Sequence, residues 1–224
     1  MNEGWKSYWR HPGDDGGLPP TFDWSASRNL ASAQVRYPAP KRMKSKTGTS
    51  IGYAGEVVFP VEIEPADRSR PVEVVLRLEY GICREICVPA EVTLRLVIAP
   101  GLAIMPAALA ASLAGVPRAL DAKAAQAAGL PRLVGASAAL KGLEPALVFD
   151  IAAGEDATAV DLFVEAPDGL YLPMTTQVGP AKGGVQRFRI DLKGIEDAAK
   201  LPAKALRLTL TGPRGATETM WSVR

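Results

Sequence analysis

Apolar and polar residues alternate with a period of two in several short runs of this 224-residue chain. Val92, Leu94, Leu96 and Ile98 share one parity. Phe188, Ile190 and Leu192 alternate with Arg189 and Asp191, and Leu206, Leu208 and Leu210 alternate with Arg207 and Thr209. This period marks half-buried strands. Strands are expected in these runs and over 32–38, 56–63, 72–80, 88–98, 143–151, 159–165 and 217–223. Turn signals lie between them, among them Pro167-Asp168-Gly169 and Gly212-Pro213-Arg214-Gly215. Short strands with turns at roughly 8–12-residue spacing predict β-sandwiches.

The pattern changes at Pro100. Residues 103–128 are rich in alanine and predict two short helices, with Pro117 at or near the first position of the second. The expected organisation is mainly β: a first sandwich over 1–100, an Ala-rich helical connector over 101–140, and a second sandwich over 141–224. Residues 11–20 read as an ordered irregular loop. Lys41, Arg42, Lys44 and Lys46 read as a basic loop, solvated in the plain reading and steering an acidic partner in the functional one.

Charge removes several function classes. Lys and Arg number 26 against 24 Asp and Glu, a net charge of +2, which is too balanced to point to nucleic acid or a membrane surface. There is one histidine, His11, and no triad partner can be placed around it. The chain carries no phosphate-binding loop, dinucleotide fingerprint or His-rich metal motif. Its longest uncharged stretch, 97–117, is interrupted by Pro and Gly and reads as a soluble connector rather than a membrane span. Its first residues lack a basic stretch followed by an apolar run, so they do not read as a signal peptide. Trp5, Tyr8, Trp9, Phe22 and Trp24 gather near the N-terminus, and Trp5, Trp9 and Trp24 read as core and rim aromatics.

The chemistry rests on two cysteines, Cys83 and Cys87. If Arg84, Glu85 and Ile86 form a tight hairpin loop, the sulfurs face each other across adjacent antiparallel strands. Opposed Cα atoms then lie about 4.5–5.5 Å apart, within the reach of a disulfide. A bond closing about five residues stabilises a fold by only ~2 kcal/mol, so it is a modest staple. A chain of this length buries enough core without one. Arg84 sits beside the pair, and a nearby cation favours the reactive thiolate. On spacing alone, a redox site and a structural bridge both stand. A zinc site would want about four ligands and falls short. A two-coordinate Cu(I) site on the thiolates is a weaker alternative.

Tyr80-Gly-Ile-Cys83-Arg-Glu-Ile-Cys87-Val-Pro89 resembles the active-site hairpin of the periplasmic N-terminal domain of DsbD, the thiol:disulfide interchange protein, in the variant of ScsB-type proteins. Gly4-Trp-Lys-Ser-Tyr-Trp-Arg-His-Pro-Gly-Asp, Phe22-Asp-Trp, and the stretch from Thr49 to Val61 fit the same pattern in the expected order. Together they cover about residues 4–98. The second half, notably Asp161-Leu-Phe-Val-Glu-Ala-Pro-Asp-Gly-Leu-Tyr-Leu-Pro, resembles the additional β-rich domain of ScsB-type proteins.

The resemblance implies immunoglobulin-like sandwiches and a periplasmic setting. It implies that Cys83 and Cys87 relay electrons from a thioredoxin-like donor, fed by a DsbD/ScsB-type membrane domain. The recipients would be disulfide isomerases, cytochrome c maturation thioredoxins or copper-stress thiol proteins. No bound cofactor is expected, because the dithiol itself carries two electrons; neither nucleic acid nor a small-molecule substrate is expected. By analogy Cys87 is the attacking thiol. Tyr80, Arg84, Glu85 and Pro89 are expected to shape the site.

The chain also departs from the family. DsbD proper has five residues between its cysteines, against three here. The family's aromatic cap loop corresponds to residues 41–50, which hold no aromatic, so Met43 and Tyr53 are the candidates for shielding the disulfide. Relatives carry an export signal and at least one strand before the Gly4 segment, so an N-terminally truncated chain with an unpaired sheet edge is expected. The competing reading is a non-catalytic periplasmic adaptor whose disulfide only clips a hairpin.

Overall fold

The computed structural model describes residues 1, 3–45, 48–101, 106–153 and 159–224. They form two compact units, Met1–Val116 and Pro117–Arg224. The architecture is mainly β and immunoglobulin-like.

The first unit contains β1 (Lys6–Tyr8), β2 (Thr21–Asp23), β3 (Leu30–Val35), β4 (Lys41–Lys44), β5 (Thr49–Ala54), β6 (Val61–Pro65), β7 (Val72–Cys83), β8 (Cys87–Ile98) and α1 (Ala107–Ala114). The long β7 organises it. One edge of β7 pairs with β8 along its whole length, and the other takes β2 and then β1. The sheet continues through β5 to β4. β3 and β6 form a separate two-stranded sheet.

Strand parity decides what is buried. Val72, Val74 and Leu76 of β7 point inward together with Ile51 and Tyr53 of β5, and Trp9 is fully enclosed. Phe59 and Tyr37, next to β6 and β3, meet Phe22 and Tyr53 edge-to-face at ring separations of 5.5–6.2 Å. These aromatics close the core between the two sheets. Among the described residues β8 is an edge strand. Its Leu94 and Leu96 pair with buried Leu76 and Val74, yet they are 52% and 61% exposed.

The second unit contains β9 (Arg118–Ala119), α2 (Ala122–Ala127), β10 (Arg132–Ala139), β11 (Ala146–Ala152), β12 (Asp161–Glu165), β13 (Thr176–Gln177), β14 (Val185–Asp191), β15 (Ala205–Gly212) and β16 (Gly215–Ser222). Its two sheets run β10-β11-β14-β13 and β12-β15-β16-β9. The alternating leucines of β15 are all fully buried and share one core with Phe149, Ile151, Phe188 and Ile190 from the facing sheet.

Several elements differ from expectation. The stretch taken as a connector is divided between the units. In the first, Ser112 of α1 donates to the Val58 carbonyl, and Ala39 N–H donates to the Gly115 carbonyl at 2.8 Å. In the second, α2 is capped by Asp121, which accepts from Ala124 N–H, and Pro117 precedes β9 rather than opening the helix. The residues expected to be helical at 103–105 lie outside the described residues. So does Lys46 of the basic run, while Lys41, Arg42 and Lys44 belong to β4 rather than to a loop. Residues 56–60 are not strand, and β6 begins at Val61.

The core of the second unit sets its stability. Phe149 is fully buried and meets Trp221 edge-to-face at 5.3 Å. Phe149→Ala leaves a large cavity and is expected to cost about 3–5 kcal/mol. Denaturant unfolding followed by circular dichroism would show this as a lower midpoint for the second unit.

Candidate functional site

Cys83 ends β7 and Cys87 begins β8, so the pair is the last rung of the ladder. They form a disulfide with Cα atoms 4.1 Å apart. Close approach at this rung follows from the register. Gly81 N–H donates to Leu18 O at 3.0 Å and its carbonyl accepts from Ser7 Oγ at 2.9 Å, so both of its backbone groups face away from β8. Its partner Pro89 therefore loses no ladder bond by lacking an N–H. Two residues on, Cys83 and Cys87 have the same parity, the type of rung at which side chains stand closest.

The two sulfurs are not equivalent. Cys83 is 2% exposed, whereas Cys87 lies at the surface. The loop between them, Arg84, Glu85 and Ile86, is exposed, and Ile86 is 72% open to solvent.

The disulfide lies on the face of the main sheet that points away from the aromatic core. Lys6 pairs with Cys83 and Ala54, and Tyr8 pairs with Gly52, so Lys6 and Tyr8 share this face. Tyr8 Oη lies 2.9 Å from Cys83 Sγ and 3.0 Å from Cys87 Sγ. Its ring is 3% exposed. The irregular 12–20 loop covers it: Ile51 N–H donates to Pro12 O at 2.8 Å, and Leu18 O is held by Gly81. Gly17, at φ 148°, lies against the ring, where a Cβ would overlap it. Burial first, and then the charge of Asp15, push the Tyr8 phenol above its ordinary pKa, so the hydroxyl keeps its proton.

The residues expected at the site are distributed unevenly. Met43 pairs with Ser50 on the disulfide face, and its methyl lies over Gly52, beside the Tyr8 backbone. Tyr53 is not brought there. It pairs with Ser7 on the opposite face, packs on Phe59, and donates to Pro38 O at 2.8 Å. Strand alternation also turns Tyr80 to the face opposite Gly81 and Cys83. Arg84 runs back toward Gly4, with Nε 3.6 Å from where a Cβ of that glycine would stand. Glu85 lies exposed in the loop, and Pro89 is exposed on β8.

Tyr8 was legible only as one aromatic in a cluster. The signal was its place in the Gly-Trp-Lys-Ser-Tyr segment. What puts its hydroxyl on the sulfurs is the pairing of β1 alongside the end of β7.

Residues 1–99 match the family model of the N-terminal domain of thiol:disulfide interchange protein DsbD. No curated protein matches the chain by sequence. Among solved structures, the N-terminal periplasmic domain of ScsB from Proteus mirabilis superposes with a TM-score of 0.70 at 20% identity, covering 100% of this chain and 84% of that one. That likeness shows that the whole two-unit chain shares the ScsB domain's fold. With its two cysteines bonded at the end of the β7–β8 hairpin, the N-terminal part of this chain is similar to the N-terminal domain of thiol:disulfide interchange protein DsbD.

Proposed function

We propose that the Cys83–Cys87 pair passes two electrons between thioredoxin-like proteins and periplasmic thiol partners, with Cys87 as the sulfur that partners reach. The match of residues 1–99 to the DsbD N-terminal domain supports a thiol–disulfide exchange module. The observation that carries the finer reading is the asymmetry of the pair, one cysteine exposed and one buried against Tyr8. An exchange centre needs one sulfur open to in-line attack and one that is released and returns to resolve the intermediate. A hairpin clip needs neither distinction.

A periplasmic setting is supported by the relative's being a periplasmic domain. No helix among the described residues is long and apolar enough to cross a membrane. On this reading electrons arrive from a membrane-embedded DsbD/ScsB-type domain through a thioredoxin-like carrier. Disulfide isomerases, cytochrome c maturation proteins and copper-stress thiol proteins are the candidate recipients.

The reduction potential tests the reading. Equilibration in graded thiol buffers, with trapping of free thiols, should place the pair at about −180 to −270 mV, among exchange proteins. A value below about −300 mV would mark a structural bridge and favour the adaptor reading.

Single-cysteine variants test the asymmetry. Cys83→Ser, which keeps the exposed sulfur, should trap a mixed disulfide with an oxidised thioredoxin-like protein. Cys87→Ser should trap far less. Equal trapping by both would remove the assignment of Cys87. Either variant should remain folded, with a loss of about 2 kcal/mol measured in denaturant, because the bond closes so short a loop.

A further inference from the structure

The sulfur that leaves when the disulfide opens is the buried one. Attack on exposed Cys87 expels Cys83 as a thiolate at a site that is 2% exposed. A buried charge without a polar partner is costly. The nearby cations are directed elsewhere: Lys6 Nζ donates to Ser50 Oγ at 2.8 Å, and the Arg84 side chain runs toward Gly4. The group that does meet the Cys83 sulfur is the Tyr8 hydroxyl, at 2.9 Å.

The fold fixes that hydroxyl in place. Gly17 leaves room for the ring on one side, and on the other a Cβ at Gly81 would come within 3.3 Å of Tyr8 Cε2. The ring thus fills a slot bounded by glycines from a loop and from β7. From it, Oη reaches both sulfurs within 3.0 Å. With the bond closed, the hydroxyl lies within hydrogen-bonding distance of either sulfur.

We propose that Tyr8 is a catalytic residue of the exchange reaction, its hydroxyl receiving the thiolate that forms on Cys83 and so directing partners to Cys87. This rests on the exchange reading above. A partner thiolate attacks Cys87 Sγ, and a partner–Cys87 disulfide forms as the Cys83–Cys87 bond breaks. The electron pair passes to Cys83 Sγ, which accepts a charge-assisted hydrogen bond from Tyr8 Oη. The partner's second thiolate then attacks its own sulfur in the mixed disulfide and releases Cys87 as a thiolate. The partner ends oxidised, and this chain holds the dithiol after taking up protons from solvent. In the opposite direction the same hydroxyl holds Cys83 ready to resolve the mixed disulfide.

Tyr8→Phe removes the donor and keeps the ring. Losing a hydrogen bond to a charged group should slow opening of the disulfide by dithiothreitol about tenfold. The equilibrium with glutathione should move about tenfold toward the disulfide, a potential about 30 mV more negative. The melting temperature reports whether the variant is folded. In the Cys87→Ser background, ultraviolet thiolate absorbance should show the lone Cys83 ionising at higher pH once Tyr8 is Phe. A purely structural tyrosine would not move that titration.

The two ideas fail separately. If wild type exchanges with a thioredoxin but Tyr8→Phe matches it in opening rate, potential and titration, the role of Tyr8 is overturned and the function stands. If wild type does not exchange and its potential lies below about −300 mV, the function itself falls, and the role of Tyr8 with it.

Discussion

The register of β7 against β8 is the constraint from which the site follows. Twelve consecutive pairs, from Val72 with Ile98 to Cys83 with Cys87, leave no slack along the hairpin. A slip of one residue would separate the sulfurs and turn every inward side chain of β7 outward. Val72, Val74 and Leu76 resist such a slip because all three are buried. The hydrophobic core at one end of the hairpin thus holds the redox pair at the other, which explains why the disulfide need not serve as a staple.

The second constraint is lateral. β7 is longer than its neighbours, and β2 and β1 share its far edge in succession. Where they change over, Gly81 gives its amide to Leu18 and its carbonyl to Ser7. That junction draws the 12–20 loop across the sheet and lays Tyr8 beside Cys83. A segment that reads as irregular therefore becomes the roof of the site, and it leaves Cys87 and the 84–86 loop at the surface. Here β4 supplies Met43 on the same face, and the aromatic touching the sulfurs comes from beneath, on β1.

Much of this was legible in the chain. The strand pattern, the mainly β architecture and the cysteine hairpin followed from period-two alternation, turn residues and spacing, because those signals are local. The resemblance to the DsbD domain was carried by ordered segments and agrees with the family match over residues 1–99. Short strands were harder. β1, β2 and β4 hold three or four residues each, too few for periodicity to declare itself, and they exist because β7 and β5 offer them edges to pair with. The alanine-rich stretch showed helices but not their allegiance, since alanine favours a helix without specifying what it packs on.

The sequence by itself determined which atoms form the bond: two sulfurs, close enough to pair, in a chain with almost no competing reactive groups. It also determined the parity that buries one face of β7. Only the tertiary structure decided that the cysteines differ, one buried and one exposed, and that Tyr8 rather than Tyr53 or Tyr80 meets their sulfurs. The physical reason is that exposure and side-chain neighbours depend on which strand lies alongside which, and at what offset. Those pairings join residues some 75 positions apart, as between Tyr8 and Cys83, and no local pattern of the chain encodes them.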